Sequence, residues 1–381
     1  MSQGVAVLGC TGSIGESTLN VLARHPDRFN AVALTAFSSE DDLTAKAAAS
    51  GAKFVGLVEG SAQWEAGGNG SVERSVGAKC LEEAATHPDV DIVVNAVVGA
   101  AGLRSTLAAL HAGKRVALAN KETLVMAGDL VDSAAKAGGG ELVPVDSEHS
   151  GVLQCLNGKN PQDISRLILT ASGGPFRTWN KDDVYNATVE QALDHPTWQM
   201  GRKITVDSAS LVNKALEVIE AHFLFGLPYE SIEVVVHPQS IIHAFAEFVD
   251  GSILAQMGYP SMELPILYSL TYPHRIEDSG VVRFDPATAG DLTFEAVRHD
   301  TFPAFELGIA AGKTGGTAPA VFNAANEVGV QAFLDGKIRF GKIAEVIRTS
   351  LEKHDVTEAI DLEVVLAADS WARRAAEEAC S

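Results

Sequence analysis

The chain has 381 residues, of which 46% are hydrophobic and 20% are charged, and its formal net charge at pH 7 is −20. This composition is typical of a folded globular protein and excludes a disordered chain, while the length predicts two or three domains. The strong negative charge argues against partners that are nucleic acids or anionic membranes. An anionic small molecule would therefore need a local cation or a metal ion at its site.

The cysteine and hydropathy patterns indicate an intracellular protein. No two of the four cysteines form a CxxC motif, and all four lie far apart in sequence. This favours a reducing compartment. No apolar run approaches the roughly 18 residues of a membrane span, and the N-terminal stretch lacks the basic and apolar regions of a secretory signal. We therefore expect a cytoplasmic location and no membrane partner.

The first 146 residues alternate short apolar strands with helices. The pattern predicts strands at 5–8, 31–36, 53–58, 89–99, 114–120 and 142–145, helices at 17–24, 42–50, 81–86, 102–113 and 121–137, and a loop at 66–71. Continuous apolar strands that alternate with helices are typical of a doubly wound parallel sheet. The fold class expected here is α/β, with a Rossmann-like, dinucleotide-binding domain over 1–146.

The pattern changes after Ser147. A strand at 167–171, a helix at 208–225 and a hairpin that turns at Asp250-Gly251 predict a mixed α+β catalytic domain over 147–271. Residues 272–302 are predicted to form an irregular linker. Helical segments at 305–311, 319–334, 341–351 and 362–378 predict a C-terminal helical bundle over 303–381.

A glycine-rich turn joins the first strand to the first helix. In "VAVLGCTGSIGEST", Gly9, Gly12 and Gly15 lie where a tight turn would expose the helix N-terminus to a pyrophosphate. The spacing is GxxGxxG and not GxGxxG, so a purely structural turn remains an alternative. The strand–helix series behind the turn favours dinucleotide binding.

The end of the second strand leaves the choice between NAD and NADP open. The stretch "ALTAFSSEDDL" has neither a lysine nor an arginine to accept a 2′-phosphate. Ser38 and Ser39 could donate hydrogen bonds to a phosphate, but without a cation.

Two acids, Asp146 and Glu148, follow the apolar stretch "LVPV". In a continued strand their side chains would point the same way and repel unless a positive group lies between them. Ligands of open α/β sheets bind at this end of the strands. The alternative is that both are solvated loop acids.

Polar residues recur at helical spacing in the otherwise apolar stretch "SLVNKALEVIEAH". They are Ser210, Asn213, Lys214 and Glu217. A helix that is apolar around most of its circumference is buried, so its lysine and glutamate need partners. An internal ion pair is one possibility; the other is that Glu217 joins Asp146 and Glu148 in an all-oxygen site for Mg²⁺ or Mn²⁺.

Small residues also predict a phosphate site. Ser172 opens "SGGPF" after a strand, where exposed N–H groups can bind an anion. Ser208, Asn213 and Lys214 could supply further donors. Asp207 and Ser208 also lie where the N-cap of the predicted helix belongs.

Residues 195–203, "HPTWQMGRK", show no clear period. They are either an irregular core loop or a mobile flap whose Trp198 closes over a ligand. His237 and His243 lie in strand-like stretches and are expected to be core or interface histidines.

Together these motifs resemble the 1-deoxy-D-xylulose 5-phosphate reductoisomerase family. The matching stretches are "LGCTGSIG", "VGAAGL", "ALANKETLV", "PVDSEHS", "TASGGPF", "HPTWQMGRKITVDSASLVNKALEVIEA", "HPQSIIH", "DGSILAQMG" and "FNAANEV". The resemblance implies NADPH-dependent, divalent-metal-dependent conversion of the sugar phosphate 1-deoxy-D-xylulose 5-phosphate to 2-C-methyl-D-erythritol 4-phosphate, in non-mevalonate isoprenoid biosynthesis. It also implies a homodimer, Mg²⁺, Mn²⁺ or Co²⁺ as the metal, and inhibition by fosmidomycin.

The resemblance assigns roles to individual residues of this chain. The metal ligands would be Asp146, Glu148 and Glu217, which with Lys121 and His195 form the catalytic set. Phosphate contacts would come from Ser172, Ser208, Asn213 and Lys214 with His195 nearby, substrate-hydroxyl contacts from Lys121, Ser147 and Glu148, and the flap contact from Trp198. The dinucleotide would lie on Thr11, Gly12, Ser13 and Ile14, with Asn120, Glu122 and Gly201 near its nicotinamide end. Ser38 and Ser39 are added from their position after the second strand, as candidates for its adenosine end.

The chain departs from the family at one point. Phe37 and Ser38 stand where the family usually has a glycine and often a basic residue, which weakens the expected preference for NADP. Two other functions remain open: a metal-free NAD(P)-dependent dehydrogenase such as a semialdehyde reductase, and a dinucleotide-sensing regulator without turnover.

Overall fold

The computed structural model describes residues 2–66, 72–198 and 200–381. Most of the predicted loop at 66–71, and Gln199 of the predicted flap, lie outside the described residues. The chain divides into two compact units: 1–123 with 129–150 and 261–282, and 124–128 with 151–260 and 283–381. Among the described residues, every helix is too short or too polar to span a bilayer.

The N-terminal part of the chain alternates strands and helices as expected. Its elements are β1 (Gln3–Leu8), α1 (Ser13–Arg24), β2 (Phe29–Ala36), α2 (Glu40–Ser50), β3 (Phe54–Leu57), α3 (Ala62–Ala66), β4 (Glu73–Val76), α4 (Lys79–Thr86), β5 (Ile92–Asn95), α5 (Gly102–His111), β6 (Arg115–Leu118), α6 (Lys121–Gly138), β7 (Glu141–Pro144) and α7 (Ser147–Leu156). The strands form one seven-stranded sheet in the order β4-β3-β2-β1-β5-β6-β7, and its pairs are parallel. This confirms the doubly wound parallel sheet and places β1 between β2 and β5, where the strand order reverses.

The predictions missed helices α3 and α7 and strand β4 of this part. The strand that carries the two acids ends at Pro144, and α7 begins at Ser147. Glu148 therefore lies in the first turn of a helix, and the expected strand-like alternation of Asp146 and Glu148 is wrong. The sequence signal was weak because α7 is short and only moderately amphipathic.

The rest of the chain forms a mixed sheet and helices. Its elements are β8 (Ile164–Ala171), α8 (Lys181–Tyr185), α9 (Val189–Leu193), α10 (Arg202–Ala209), α11 (Val212–Phe225), β9 (Ile232–Val236), β10 (Ile242–Phe248), β11 (Ile253–Met257), α12 (Glu263–Thr271), β12 (Glu295–Ala296), α13 (Pro303–Thr314), α14 (Ala318–Leu334), α15 (Lys342–Lys353) and α16 (Leu362–Cys380). The second sheet has the order β11-β10-β8-β9-β12, and β10 and β11 form the predicted hairpin.

The predicted helix at 208–225 is two helices. Leu211 has φ +60, in the left-handed region, between α10 and α11. Such a conformation interrupts a helix, and the pattern of apolar residues in the sequence does not predict the interruption. Asp207 and Ser208 lie inside α10 and do not cap α11, so the expected N-cap is wrong.

The compact units differ from the predicted domain boundaries. Helix α12 belongs to the first unit because Ile266, Leu267 and Leu270 are buried in the same core as strand residues of β1 and β5. The C-terminal helices belong to the second unit because Phe322 and Phe333 share one core with residues of α11. Helices α13–α16 therefore complete the core of the second unit.

Candidate active site

The turn after β1 has the features that a pyrophosphate site needs. The N–H groups of Gly9 and Cys10 donate to the Thr35 carbonyl oxygen at 3.1 and 2.8 Å. Gly9 has φ +81, and a Cβ on Gly15 would lie 2.3 Å from the Gly9 carbonyl oxygen, so both positions require glycine. A Cβ on Gly12, the N-cap residue of α1, would meet nothing closer than 3.5 Å. Room therefore remains at the helix N-terminus, whose first N–H groups have no intrahelical acceptor.

Cys10 is buried inside this turn, and burial raises the pKa of its thiol to about 12. A thiol of this kind stays protonated and unreactive near neutral pH. Cys10 is therefore a packing residue of the turn.

The adenosine end of such a site would lie after β2. Ser38 and Ser39 are exposed there, and Ser39 precedes the acidic first turn of α2. The lysine of α2, Lys46, is engaged elsewhere, since its Nζ donates to Asp42 at 2.7 Å. The hydrogen bond to Asp42 is the largest cause of its raised pKa.

Lys121 and Asp146 form an ion pair within the first unit, and their side chains are 8% and 13% exposed. Lys121 begins α6, whose N-cap residue Asn120 accepts from the Thr123 N–H at 3.0 Å and donates to the Val97 carbonyl oxygen at 2.5 Å. These hydrogen bonds fix the position of Lys121. The positive group that the sequence requires beside Asp146 is thus provided by the chain itself.

The other polar residues predicted for the site in this unit are close neighbours of Lys121 or Asp146 in the sequence. Ser147 Oγ donates to the Glu148 carboxylate at 2.5 Å. Glu148 lies in the first turn of α7, where the helix dipole stabilises a negative charge. Glu122 is buried in the first turn of α6.

In the second unit, α11 presents a buried polar cluster. Lys214 Nζ donates to the Glu217 carboxylate and to the Thr170 carbonyl oxygen, and Asn213 Nδ2 donates to the same carboxylate. The Lys214 and Glu217 side chains are 5% and 1% exposed. The predicted polar stripe is thus present for these three residues. Ser210 lies outside it, because the chain breaks before α11.

The SGGPF turn brings Ser172 to His195. Ser172 Oγ lies 3.0 Å from His195 Nε2, while His195 Nδ1 accepts from the N–H groups of Thr197 and Trp198 at 3.2 and 2.9 Å. A neutral imidazole that accepts at Nδ1 carries its proton on Nε2, so His195 donates to Ser172. Burial lowers the pKa of His195, which favours this neutral form.

The same turn lies directly against α10. A Cβ on Gly174, which has φ +64, would lie 2.9 Å from the Ser208 carbonyl oxygen. The structure therefore brings Ser172, His195 and Ser208 into one region of the second unit. This arrangement of hydroxyl, imidazole and turn N–H groups suits an anion.

The predicted flap runs into α10, whose N-cap residue is Gly201. Lys203 forms an ion pair with Asp207 at 2.9 Å, and Asn326 of α14 donates to Asp207 at 2.8 Å. We call Lys203, Asp207 and Asn326 the flap anchor. The sequence analysis missed it because Asp207 and Asn326 are 119 residues apart in the chain. Trp198 lies earlier in the segment, with its ring 6.5 Å from that of His243.

A parallel sheet with a glycine turn after β1 defines the class of dinucleotide-binding α/β proteins, here extended by a second, mixed α/β unit. Models of 1-deoxy-D-xylulose 5-phosphate reductoisomerase match residues 5–128, and those of its C-terminal domains match 142–225 and 257–375. The chain belongs to the 1-deoxy-D-xylulose 5-phosphate reductoisomerase family. The predicted family and the reductoisomerase activity that goes with it are confirmed.

Relatives and solved structures agree with this assignment. The chain is 50% identical to the 1-deoxy-D-xylulose 5-phosphate reductoisomerase of Ralstonia pickettii over 98% of this chain and 96% of the relative. It is similar to the Zymomonas mobilis enzyme solved with NADPH, with a TM-score of 0.92, 43% identity and full coverage of both chains. A reductoisomerase solved with NADPH, fosmidomycin and magnesium gives a TM-score of 0.93 and 42% identity over 99% of this chain and 98% of that one.

Proposed function

We propose that this chain converts 1-deoxy-D-xylulose 5-phosphate to 2-C-methyl-D-erythritol 4-phosphate with NADPH and a divalent metal ion. The observation that carries the proposal is the high identity to named reductoisomerases along nearly the whole chain. The local geometry supports it, because both units hold buried or half-buried polar groups of the types that the reaction needs.

Asp146, Glu148 and Glu217 would hold the metal. All three offer carboxylate oxygens, the donors that Mg²⁺, Mn²⁺ and Co²⁺ accept, and related structures contain magnesium. When bound, the ion would polarise oxygens of the substrate and stabilise negative charge that develops on them. The lysines beside two of these acids, Lys121 and Lys214, hold the carboxylates in place.

The phosphate group would bind in the second unit. Ser172, Ser208, Asn213 and Lys214 would donate hydrogen bonds to it, and His195 would orient Ser172 through the 3.0 Å contact. Such a remote anchor supplies binding energy that can be used to order the reacting groups. Fosmidomycin in related structures is consistent with a small-molecule ligand of this kind.

The chain's other polar residues would hold the substrate and exclude water. Lys121, Ser147 and Glu148 would contact the substrate hydroxyls. The segment 195–203 would close over the ligand with Trp198, and closure would remove bulk water from the reacting groups.

The dinucleotide would lie on the turn after β1. Thr11, Gly12, Ser13 and Ile14 would contact its pyrophosphate, and the reduced nicotinamide would supply a hydride. The nicotinamide end would be contacted by Asn120, Glu122 and Gly201, and the adenosine end by Ser38 and Ser39.

A homodimer in the cytoplasm completes the proposal. β11 is an edge strand of the second sheet, and its Ile253, Leu254 and Met257 are 49%, 40% and 36% exposed. An exposed apolar edge is a surface that another strand can cover, and we assign it to a second copy of this chain. Light scattering should give twice the chain mass for the parent protein and a lower mass for Leu254→Lys. The four cysteines lie far apart in sequence, which fits a reducing compartment.

The reaction is tested by mixing the purified protein with 1-deoxyxylulose 5-phosphate, Mn²⁺ and NADPH and following the loss of NADPH absorbance. The expected result is substrate-dependent oxidation, with 2-C-methylerythritol 4-phosphate identified by mass spectrometry. Absence of turnover with every divalent ion would overturn the proposal.

A further inference from the structure

Two apolar side chains stand out at the carboxyl edge of the parallel sheet. Phe37 follows β2 and is 61% exposed, and Val98 follows β5 and is 69% exposed. Large apolar groups on a monomer surface often mark a ligand site when they lie beside a polar binding feature. The glycine turn after β1 is such a feature.

The sheet order places these two residues on opposite sides of that turn. β1 is the neighbour of both β2 and β5. Adjacent strands are about 4.8 Å apart, so the ends of β2 and β5 are separated by roughly 10 Å. A dinucleotide with its pyrophosphate on α1 directs its adenosine across this edge, toward the end of β2.

Hydrogen bonds fix the backbone at both positions. The Phe37 carbonyl oxygen accepts from the Glu59 N–H at 2.7 Å. Beside Val98, the Val97 carbonyl oxygen accepts from Asn120 Nδ2 at 2.5 Å. The exposed side chains are therefore held at the sheet edge by an ordered backbone, as a preformed site requires.

The charges nearby do not favour recognition of a phosphate by a cation. The first turn of α2 carries Glu40, Asp41 and Asp42, and Lys46 is engaged by Asp42 and Glu16 at 2.7 and 3.3 Å. Affinity at the adenosine end must then come largely from contacts with the base. An aromatic ring is the side chain that best provides them.

We infer that Phe37 is the platform on which the adenine ring of the dinucleotide stacks, with Val98 providing apolar surface on the other side of the turn. The inference rests on the proposed function, since it takes the dinucleotide as the ligand. Phe37 thereby serves as a specificity residue for adenine at the end of β2.

The test measures binding and not turnover. Dissociation constants for NADPH, ADP-ribose and reduced nicotinamide mononucleotide are measured by calorimetry or fluorescence for the parent protein, Phe37→Ala and Phe37→Tyr. Val282→Ala is the matched control, because Val282 is a 70% exposed apolar residue of the same unit. Thermal unfolding checks that the variants are folded, which we expect because Phe37 is exposed.

The expected result is specific to the base. Phe37→Ala should weaken NADPH and ADP-ribose by a similar factor of roughly five to thirty, as loss of one base–aromatic stack does. It should leave the mononucleotide unchanged, and Phe37→Tyr and Val282→Ala should bind like the parent. Unchanged ADP-ribose binding in folded Phe37→Ala overturns the inference alone, whereas a parent protein that binds neither NADPH nor ADP-ribose overturns the proposed function with it.

Discussion

The ammonium group of Lys214 and the carboxylate of Glu217 form an ion pair one turn apart on α11, with both side chains almost fully buried. Each charge offsets part of the other's desolvation cost. Asn213 donates to the same carboxylate, so the orientation of Glu217 is fixed before any ligand binds. A preorganised acid of this kind suits a metal ligand.

Replacement of this acid should separate catalysis from cofactor binding. Glu217→Gln keeps the shape of the side chain but removes its charge, and we expect kcat to fall about a hundredfold or more, as when one preorganised electrostatic group is lost. The dissociation constant for NADPH, measured by fluorescence, should stay within about twofold, because the glycine turn is unaltered. Glu233→Gln, at a glutamate whose side chain is 51% exposed, is the control and should keep parent activity. Near-normal turnover of Glu217→Gln would refute the metal assignment.

Metal removal should abolish the reaction reversibly. After EDTA treatment and desalting, we expect no NADPH oxidation with 1-deoxyxylulose 5-phosphate, and recovery on addition of Mn²⁺, because carboxylate sites exchange hard cations readily. NADPH binding should survive the treatment. Full activity in EDTA would instead support a metal-free dehydrogenase.

His195 should make the second unit sensitive to acid. Burial lowers its pKa below the usual 6.5, so the unfolded chain binds more protons than the folded one between the two pKa values. Stability therefore rises with pH through that window and is lost as the pH falls below about 6.5. His195→Asn should flatten the fall in melting temperature between about pH 6.5 and 5. The remaining slope includes His354, whose pKa is also lowered by burial, and an unchanged slope in His195→Asn would count against this role.

The anchor at the end of the flap should matter for stability and for closure. Asn326→Ala leaves the buried Asp207 without its 2.8 Å donor, and loss of a partner to a buried charged group costs about 1–3 kcal/mol or more. Urea unfolding should detect this loss. We also expect a higher KM for the sugar phosphate, since Asp207 holds Lys203 at the flap's end. Gln331→Ala, which removes an exposed hydrogen bond on the same helix, should change neither quantity, and a normal midpoint for Asn326→Ala would contradict the anchor.

A cation at the end of β2 should sharpen cofactor choice. Ser38→Lys adds a positive charge beside the acidic first turn of α2, and we expect the NADPH dissociation constant to fall several-fold relative to that of NADH. The gain should shrink as salt is raised, because exposed charges are screened within about 8–10 Å at physiological ionic strength. Ser50→Lys, at the other end of α2, is the control. Equal improvement of NADH and NADPH would show that the 2′-phosphate does not lie near Ser38.

The residues that the sequence identified best are those whose role is local. The glycine turn could be predicted from β1, three glycines and α1, because backbone geometry within a few residues requires glycine at Gly9 and Gly15. The apolar β-strands of the first sheet could also be predicted from a local signal, because burial on both faces produces continuous apolar runs.

Residues next to a boundary between two secondary-structure elements were assigned to the wrong element. Ser210 has the right spacing for the polar face of α11, but Leu211 adopts a left-handed conformation that starts a new helix. Glu148 looked like a strand residue, yet it lies in α7. A single residue outside the helical region resets the phase of every side chain after it, and the composition of the sequence carries no sign of this.

The sequence by itself was enough to predict the α/β sheet, the family, and the acids and lysines of the candidate site, because local periodicity and short motifs encode them. Only the tertiary structure decided which groups meet: Lys121 with Asp146, His195 with Ser172, and Asp207 with Asn326. These contacts join residues distant in the chain, and their energies come from burial and hydrogen-bond geometry that exist only once the sheets and helices have packed.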